Sequence, residues 1–357
     1  MKVAIIGIGV AGAYLMNQLS SFHDVEVTGF ERMEEKNHDA VCAWATCDNV
    51  MSKYAKKCGL DFENYVLHDG KRMTVDVGKG NDEGDCGDSD GGGGDRNNCM
   101  NINLKGMVSY DKLKLIQDMI KGTDIVFNKV PEKNQLEQDF DLIVDSTGFH
   151  RHYLPKLKDE LWIPCIQYKV KYDKNIPFDD FYLKAFPSLS GYFWYFPLGN
   201  GYAHIGSGDF RRKHTNEFLE FFLKKYDCTI IKKVGRPVRI TPPSKCIPFS
   251  DGRKTVGVGE SVGTVYPLLG EGIIPSTICA DIFVNNLDDL DSYYNEILTK
   301  FKIYTIVYNF IKMKISNNFS VFKNFFDLIK IYGHMKMQEN RYGMEIDILN
   351  MLKLTKI

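Results

Sequence analysis

The sequence Gly7-Ile-Gly-Val-Ala-Gly12 lies between a segment typical of a buried strand and a segment with helical periodicity. Residues 2–8 are apolar and β-branched, as expected of a strand inside a parallel sheet. Residues 11–21 contain few helix breakers, and residues 25–31 have the composition of a second strand. This strand-helix-strand pattern predicts the start of a doubly wound α/β domain.

Three glycines and one carboxylate give this unit the pattern of a dinucleotide site. Gly7 permits a tight turn, Gly9 lets the backbone approach a pyrophosphate, and Gly12 allows the helix to pack closely on the sheet. The helix N-terminus would offer free N–H groups and a positive dipole end to phosphates. Glu31 ends the second strand, where a carboxylate can accept hydrogen bonds from ribose hydroxyls. We therefore expect a bound adenine dinucleotide rather than a glycine-rich turn without function.

The composition fits a globular protein of roughly two domains. The 357 residues are 44% hydrophobic and 25% charged, and 45 basic residues nearly balance 46 acidic ones. The resulting net charge of -1 argues against a dedicated nucleic-acid-binding protein, which normally carries a basic excess. Aromatic residues make up 13% of the chain, which suits a large core, an apolar pocket or a membrane surface.

Cysteine spacing and hydropathy favour a cytoplasmic protein with reduced thiols. The nine cysteines show no C-x-x-C spacing, so neither a zinc site nor a redox disulfide is indicated, and we predict no metal. The first strand begins at Lys2, so we expect no signal peptide. The sequence contains no run of eighteen apolar residues that would predict a membrane-spanning helix.

Residues 78–98 differ from the rest of the chain in composition. They hold eight of the 31 glycines and six acidic residues, a composition that predicts a solvent-exposed loop within a hairpin. Asp88-Ser-Asp90 resembles the start of a calcium loop, but Gly92 occupies the third ligand position and no closing Glu follows. We expect a solvated insertion rather than a metal site.

A second group of motifs follows more than two hundred residues after the first. Residues 255–259 are typical of a short buried strand, and Glu260-Ser-Val-Gly263 and Gly270-Glu-Gly272 precede an apolar helix. Two distant motifs suggest a long cofactor held at both ends, which favours FAD over a nicotinamide dinucleotide. Glu260 could bind ribityl hydroxyls, and the N–H groups after Gly270 could stabilise a reduced flavin. A surface acid is the alternative interpretation of Glu260.

Several stretches together carry a resemblance to a known family. They are Gly7-Ile-Gly-Val-Ala-Gly12, Glu31-Arg32, Asp145-Ser-Thr-Gly148, Gly191-Tyr-Phe-Trp-Tyr-Phe-Pro197, Gly199-Asn-Gly201, Ile205-Gly206, and Gly259-Glu-Ser-Val-Gly263 through Gly270-Glu-Gly-Ile273. On these residues the chain resembles the geranylgeranyl reductases, flavoproteins of the p-hydroxybenzoate hydroxylase-like superfamily, over residues 1–285. The resemblance implies one non-covalent FAD. It also implies an oxidoreductase that reduces C=C double bonds of isoprenoid chains, typically in archaeal membrane ether-lipid (phospholipid) biosynthesis.

The resemblance also implies a discontinuous domain organisation. A Rossmann-like FAD-binding domain of the p-hydroxybenzoate hydroxylase type would be interleaved with an antiparallel-sheet substrate domain and followed by a helical C-terminal region. The expected parts are the FAD-binding domain at 1–70, 100–160 and 250–285, a hairpin at 71–99, the substrate domain at 161–249, and the helical region at 286–357.

The resemblance assigns cofactor contacts to residues in both groups of motifs. These are Gly7, Gly9, Ala11, Gly12, Glu31, Arg32, Cys42, Ala43, Met107, Gly259, Glu260, Gly263, Gly270, Gly272 and Ile273. Three positions depart from the family pattern. Glu260 stands where the family has Asp, Cys42-Ala43 replaces a Cys-Gly element, and Met107 replaces an Arg whose contact Lys105 could supply.

The aromatic block is the most family-specific stretch. Strand alternation places Tyr192, Trp194 and Phe196 on one face and the two intervening aromatic residues on the other. One face can pack in the core, and the other can line a tunnel for an apolar chain that also contacts Pro197. A strand buried on both faces is the alternative. Tyr192 and Trp194 are also candidates for catalytic groups.

Reduction of an unactivated alkene requires a hydride and a proton donor. Cys42 would lie near the flavin if the family layout holds, and its thiol could be the acid; a small buried Cys is the alternative. His204 follows the aromatic strand and could relay protons, although we expect a structural histidine with satisfied hydrogen bonds.

Residues 300–336 combine basic and aromatic residues. They contain seven Lys, a single acid at Asp327, and nine aromatic side chains. A basic helix with an aromatic face can lie on an anionic bilayer, which would suit a lipid substrate. A helical cap packed on the substrate domain is the competing interpretation.

The sequence thus favours an isoprenoid lipid as substrate and leaves the electron donor open. Ferredoxin and NAD(P)H both remain candidates, since the sequence has no second GxGxxG motif. One rival function is a flavin-dependent monooxygenase or halogenase, although the Trp-x-Trp-x-Ile pattern of halogenases is absent. The other is a flavin-bearing binding protein without catalysis.

Overall fold

The computed structural model describes residues 1–40, 42–78, 99–252 and 254–357. The predicted acidic loop and its calcium alternative therefore lie outside the described residues, except for Gly78. Seven cysteines in the described ranges are free thiols, whereas Cys99 is disulfide-bonded, which the cysteine spacing did not predict.

Within these ranges the chain forms strands in three sheets together with α-helices. The strands are β1 (Lys2–Ile6), β2 (Glu26–Phe30), β3 (Ala45–Cys47), β4 (Val66–Asp69), β5 (Arg72–Asp76), β6 (Cys99–Asn103), β7 (Met107–Tyr110), β8 (Ile125–Val126), β9 (Leu142–Asp145), β10 (Trp162–Lys171), β11 (Phe181–Ala185), β12 (Gly191–Pro197), β13 (Tyr202–Asp209), β14 (Thr229–Arg239) and β15 (Thr255–Gly257). The helices are α1 (Val10–Leu19), α2 (Asp48–Lys57), α3 (Lys112–Met119), α4 (Lys133–Asp139), α5 (Thr215–Lys225), α6 (Ile273–Asn285), α7 (Leu290–Lys300), α8 (Lys302–Ile315), α9 (Phe325–Met337), α10 (Glu339–Tyr342) and α11 (Ile348–Lys356).

The first sheet is parallel and has the strand order β15-β9-β1-β2-β8. Its inner strands are apolar because helices cover them, and four of the five residues of β1 are buried. Helix α1 follows β1 directly and packs against both α3 and α6. The strand β15 comes late in the chain but pairs with β9. Because the strands are parallel, the second group of motifs follows the carboxyl end of the sheet, as the first group does. The predicted Rossmann-like fold is confirmed.

The second sheet has seven strands in the order β14-β10-β13-β12-β11-β5-β6. All neighbours pair antiparallel except β11 and β5. The hairpin strands β5 and β6 therefore extend the predicted antiparallel sheet rather than standing alone. Helix α5 covers one face of this sheet, where Phe218 and Phe222 pack against Phe193 and Tyr195.

A third, small sheet has the strand order β3-β7-β4. It carries Met107 at the start of β7 and ends at Tyr110, which is buried. Asp111 then caps α3 by accepting a hydrogen bond from the N–H of Lys114 at 3.0 Å. The cap fixes the direction in which the first turn of α3 presents its side chains.

The C-terminal region is helical, as its sequence pattern predicts. Phe301, Tyr304, Tyr308 and Phe310 are buried, so the first half of the basic aromatic segment packs as a helical cap on the rest of the molecule. The second half is different, because Phe322 is 96% exposed. None of the helices in the described ranges is both long and apolar enough to cross a membrane.

Candidate cofactor and substrate cavity

One cavity of about 450 Å³ lies where the parallel sheet, the antiparallel sheet and the C-terminal helices meet. We call it the central cavity. Its wall includes Gly9 from the start of α1, Trp194 from β12, Gly272 from the turn before α6, and Met351 from α11. Both groups of sequence motifs and the aromatic strand therefore open into a single space.

The glycines of the first motif shape one end of the central cavity. Gly7 has a φ of +90°, and a Cβ there would lie 2.9 Å from the carbonyl oxygen of Ser146. A Cβ on Gly12 would lie only 2.1 Å from the carbonyl oxygen of Gly7. Gly9 is the opposite case, because a Cβ there would meet nothing within 4 Å. The space in front of Gly9 and the first turn of α1 is thus open to a ligand.

Glu31 is buried and anchors the loop that follows β1. Its Oε2 accepts a hydrogen bond from the N–H of Ile8 at 2.9 Å, and its Oε1 accepts one from Met33 at 3.0 Å. Arg32 beside it is exposed, with Nη1 3.5 Å from His150 Nε2. A carboxylate oxygen can accept more than one hydrogen bond, so Glu31 retains capacity for a ligand hydroxyl.

The second group of motifs meets the first in space. A Cβ on Gly259 would lie 3.2 Å from the Cβ of Ala11, so this turn approaches the start of α1 closely. Glu260 lines the central cavity and forms an ion pair with Arg236, while its Oε1 accepts a hydrogen bond from the N–H of Arg239 at 2.9 Å. The sequence did not indicate Arg236, which comes from the strand β14.

The turn before α6 carries the third set of predicted contacts. Gly270, Gly272 and Ile273 line the central cavity, and Gly270 adopts a φ of +61°. The Tyr192 hydroxyl donates a hydrogen bond to the carbonyl oxygen of Leu269 at 2.5 Å, which joins the aromatic strand to this turn. The N-terminus of α6 begins here and directs its positive dipole end toward the same space.

A half-buried ion pair lies in the wall at this end of the central cavity. Arg341 Nη2 of α10 lies 2.6 Å from Glu271 Oε2, and both residues line the wall. Burial raises the pKa of Glu271, although the guanidinium of Arg341 opposes this shift. Glu271 stands inside the quoted glycine motif and could have been singled out there, whereas no local pattern in the sequence indicates Arg341.

The two faces of β12 separate as strand alternation predicts. Tyr192, Trp194 and Phe196 line the central cavity, while the intervening aromatics pack against α5. Gly206 on β13 lies opposite Trp194, and a Cβ there would come 2.3 Å from the indole ring. Within the described part of the chain, Trp194 Nε1 has no hydrogen-bond partner.

Three thiols lie in the wall of the central cavity, those of Cys42, Cys47 and Cys165, and the thiol of Cys47 donates a hydrogen bond to the carbonyl oxygen of Asn340 at 2.9 Å. Cys42 lines the cavity and accepts a hydrogen bond from the N–H of Trp44, with N and Sγ 3.4 Å apart. Cys165, which the sequence did not indicate, also lines it, and burial raises its pKa to about 12. His204 is absent from the wall as far as the described residues form it; its Nδ1 lies 3.2 Å from the carbonyl oxygen of Ala43.

The remaining predicted residues divide into two groups. Members of the cavity wall include Gly9, Ala11, Ala43 and Met107. The wall formed by the described residues leaves out Gly7, Gly12, Glu31, Arg32, Pro197, Gly259 and Gly263. Lys105 is also absent from this wall, and its Nζ lies 3.0 Å from Oε2 of Glu339. Lys112 of α3, absent from the prediction, is buried and lines the wall.

Known proteins resemble the chain in sequence over one segment and in fold over nearly its whole length. A segment of 124 residues is 34% identical to digeranylgeranylglycerophospholipid reductase 2 of Methanothermobacter thermautotrophicus; it spans 33% of this chain and 31% of that relative. No protein-family model matches the chain. The predicted resemblance to geranylgeranyl reductases is thereby confirmed within this segment.

Two solved structures illustrate the likeness in fold. A geranylgeranyl bacteriochlorophyll reductase-like protein from Thermoplasma acidophilum superposes with a TM-score of 0.66 at 13% identity, over 99% of this chain and 95% of that one. PqsL, a probable FAD-dependent monooxygenase from Pseudomonas aeruginosa, superposes with a TM-score of 0.59 at 13% identity, over 89% of this chain and 96% of that one. At these identities the likeness shows the shared fold.

Proposed function

We propose that this protein binds FAD non-covalently in the central cavity and reduces C=C double bonds of isoprenoid chains in a membrane lipid. The observation that carries the proposal is the continuity of the cavity: its wall runs from the phosphate-binding pattern at Gly9 to the apolar aromatic face at Trp194 and Phe196. A dinucleotide at one end and an apolar chain at the other would then share one space shielded from water.

The residues present fit FAD. The open backbone at Gly9 and the first turn of α1 suit the pyrophosphate, and Glu31 suits a ribose. The N-terminus of α6 after Gly272 suits the electron-rich pyrimidine side of a flavin. Glu260 is a candidate for ribityl hydroxyls through its free lone pairs, even while it pairs with Arg236. When bound and reduced, FAD supplies a hydride.

The aromatic face suits the substrate. Tyr192, Trp194 and Phe196 offer flat apolar surfaces to a prenyl chain, and Gly206 lets the indole lie flat against β13. Cys42 and Tyr192 remain the candidates for a proton donor at this wall. Cys165 is the less suitable thiol for a charged role, because burial holds it in its neutral form.

A membrane lipid would have to reach the central cavity from a bilayer, and the C-terminal region offers a surface for that contact. Phe322 and Phe326 are 96% and 75% exposed, and Phe325 beside them is 52% exposed. Lys323 lies between Phe322 and Phe325, and Lys330 follows Phe326 by four residues. Exposed aromatics among lysines are typical of a segment that inserts at an anionic membrane surface. We propose that residues 321–330 form this contact.

A monooxygenase is the second candidate function, because the fold is shared with PqsL. The two functions differ in what oxidises the reduced flavin. We would photoreduce the flavoprotein without oxygen and add a geranylgeranyl lipid in detergent, while following the flavin absorbance. A reductase regains the oxidised spectrum with lipid alone, whereas a monooxygenase stays reduced until oxygen enters and then forms a hydroxylated product.

A further inference from the structure

We propose that Lys112 holds the pyrophosphate of the bound dinucleotide, in place of the arginine that the family resemblance leads one to expect at Met107. This inference rests on the proposed FAD function and names the positively charged residue that would bind the cofactor's phosphates. It commits to the phosphate-bearing part of the cofactor rather than to the flavin ring.

The first observation is an isolated buried cation. Lys112 is only 6% exposed, and it lines the central cavity. Among the described residues, no acidic side chain forms an ion pair with it. An ammonium group that loses part of its hydration in a narrow cavity costs folding free energy unless another charge or hydrogen bonds compensate it. A ligand anion at this position would supply that compensation.

The acids around the central cavity are committed elsewhere. Each of the five in the described wall has another partner: Asp39 pairs with Lys232, Glu260 with Arg236, Glu271 with Arg341, Glu345 accepts a hydrogen bond from Asn103, and Asp347 caps the first turn of α11. Asp111, the sequence neighbour of Lys112, caps α3. The protein therefore offers Lys112 no counter-ion of its own within the described residues.

The second observation is the position of Lys112 beside the start of α1. Both α1 and α3 lead into strands of the parallel sheet, and they pack against each other. Asn17 Nδ2 of α1 donates a hydrogen bond to the carbonyl oxygen of Met119 of α3 at 3.0 Å. Each of these two residues lies seven positions after the first residue of its helix. The two helix N-termini therefore lie at the same end. Lys112 and the open first turn of α1 consequently face the central cavity together, and both attract an anion.

The third observation excludes the other candidate cation. Met107 lines the cavity where an arginine was expected but carries no charge, and Lys105 is held by Glu339 at 3.0 Å. Of these three positions, only Lys112 combines a positive charge with access to the cavity. Lys112 is the first residue of α3, so the helix holds its backbone in place at the end that faces the first turn of α1.

The test compares ligand affinities of the wild-type apoprotein with those of three variants. We would measure binding of FAD, ADP and riboflavin by flavin fluorescence and calorimetry for the wild type, Lys112→Met and the exposed-lysine control Lys114→Met. We expect Lys112→Met to bind FAD and ADP about 10- to 100-fold more weakly. Riboflavin, which has no phosphate, should bind the wild type and all variants alike. Lys112→Arg should keep FAD affinity, because it retains the charge.

The stability of the apoprotein provides an independent readout. Loss of an uncompensated buried charge should leave the melting temperature of apo Lys112→Met equal to that of the wild type or above it. Unchanged FAD and ADP affinity in this variant overturns the inference while leaving the proposed function intact. An unfolded variant, or equal losses for riboflavin and FAD, also overturns it. A wild type that binds no FAD removes the proposed function itself.

Discussion

At the scale of single residues, His204 illustrates how burial sets chemistry in this molecule. It lies on β13 with its ring edge against Trp44, and its Nδ1 lies 3.2 Å from the carbonyl oxygen of Ala43. Burial is the main cause that lowers its pKa from 6.5 to about 4. The imidazole is therefore neutral at physiological pH, and its Nδ1–H donates to Ala43, which supports the expected structural role.

This shift predicts a pH dependence of stability. The unfolded chain protonates His204 near its ordinary pKa of 6.5, while the folded chain does so only near about 4. Between these values the unfolded state binds more protons, so the free energy of unfolding falls as the pH drops from about 6.5 to about 4. His204→Asn keeps a donor for Ala43 without titrating, so its chemical-denaturation curves should lose less stability across this window. An equal loss in both proteins would contradict the assignment.

Patterns in the sequence could predict local backbone features, such as turns. They could not predict contacts between residues from distant parts of the chain. The glycine spacing predicted the turn at Gly7 and the close packing at Gly12, because a Cβ at either position meets backbone atoms. Arg341 and Lys112 could not be predicted in this way. Their role depends on helices that approach the cavity from distant parts of the chain, and no local spacing encodes that approach.

At the scale of elements, β12 lies between the central cavity and the core of the antiparallel sheet. Its alternation was predictable, because successive side chains of a strand point to opposite faces. What lies against each face of β12 could not be predicted: α5 covers one face, and the central cavity opens on the other. Element types were generally predictable from apolar runs and helical spacing. The extension of the sheet by β5 and β6 was not, since it needs the parallel pairing with β11. The proposed domain boundaries stay predictions.

The pairing of β12 with β13 yields a test of the aromatic wall. Gly206→Ala would place a methyl group 2.3 Å from the Trp194 ring, so the indole must leave its position. We expect destabilisation of about 1–3 kcal/mol, an altered near-UV circular dichroism spectrum, and slower lipid turnover at unchanged FAD content.

Gly235→Ala is the matched control on the same sheet, because its nearest atom would be 3.7 Å away in ordinary contact. It should behave like the wild type in all three measurements. Normal lipid turnover in Gly206→Ala, despite a displaced indole, would show that Trp194 does not contact the substrate.

At the scale of the whole molecule, the C-terminal helices combine a packed part and an exposed part, which the sequence could not separate. The aromatic residues of α8 are packed inside, which favours the helical-cap interpretation for that part. The segment around Phe322 and Phe326 is exposed, and α9, which begins within it, contributes Met335 to the cavity wall. One helix thus connects the proposed membrane contact with the proposed substrate site.

This arrangement predicts lipid binding that depends on both charge and apolar area. The double change Phe322→Ser and Phe326→Ser should weaken binding to vesicles containing anionic phospholipid by about tenfold or more, since each buried Phe contributes roughly 1.5–3 kcal/mol. Phe22→Ser, at another exposed phenylalanine, is the control in the same co-sedimentation assay. Equal binding by the double variant and the control would exclude residues 321–330 as the contact.

The most direct test of the central claim is the mass of a geranylgeranyl lipid after a single anaerobic turnover with the reduced flavoprotein. We expect a product heavier by two hydrogen atoms for each bond reduced, formed in step with recovery of the oxidised flavin spectrum. A lipid of unchanged mass beside a flavin that stays reduced would contradict this expectation, as would a product that has gained oxygen once air is admitted.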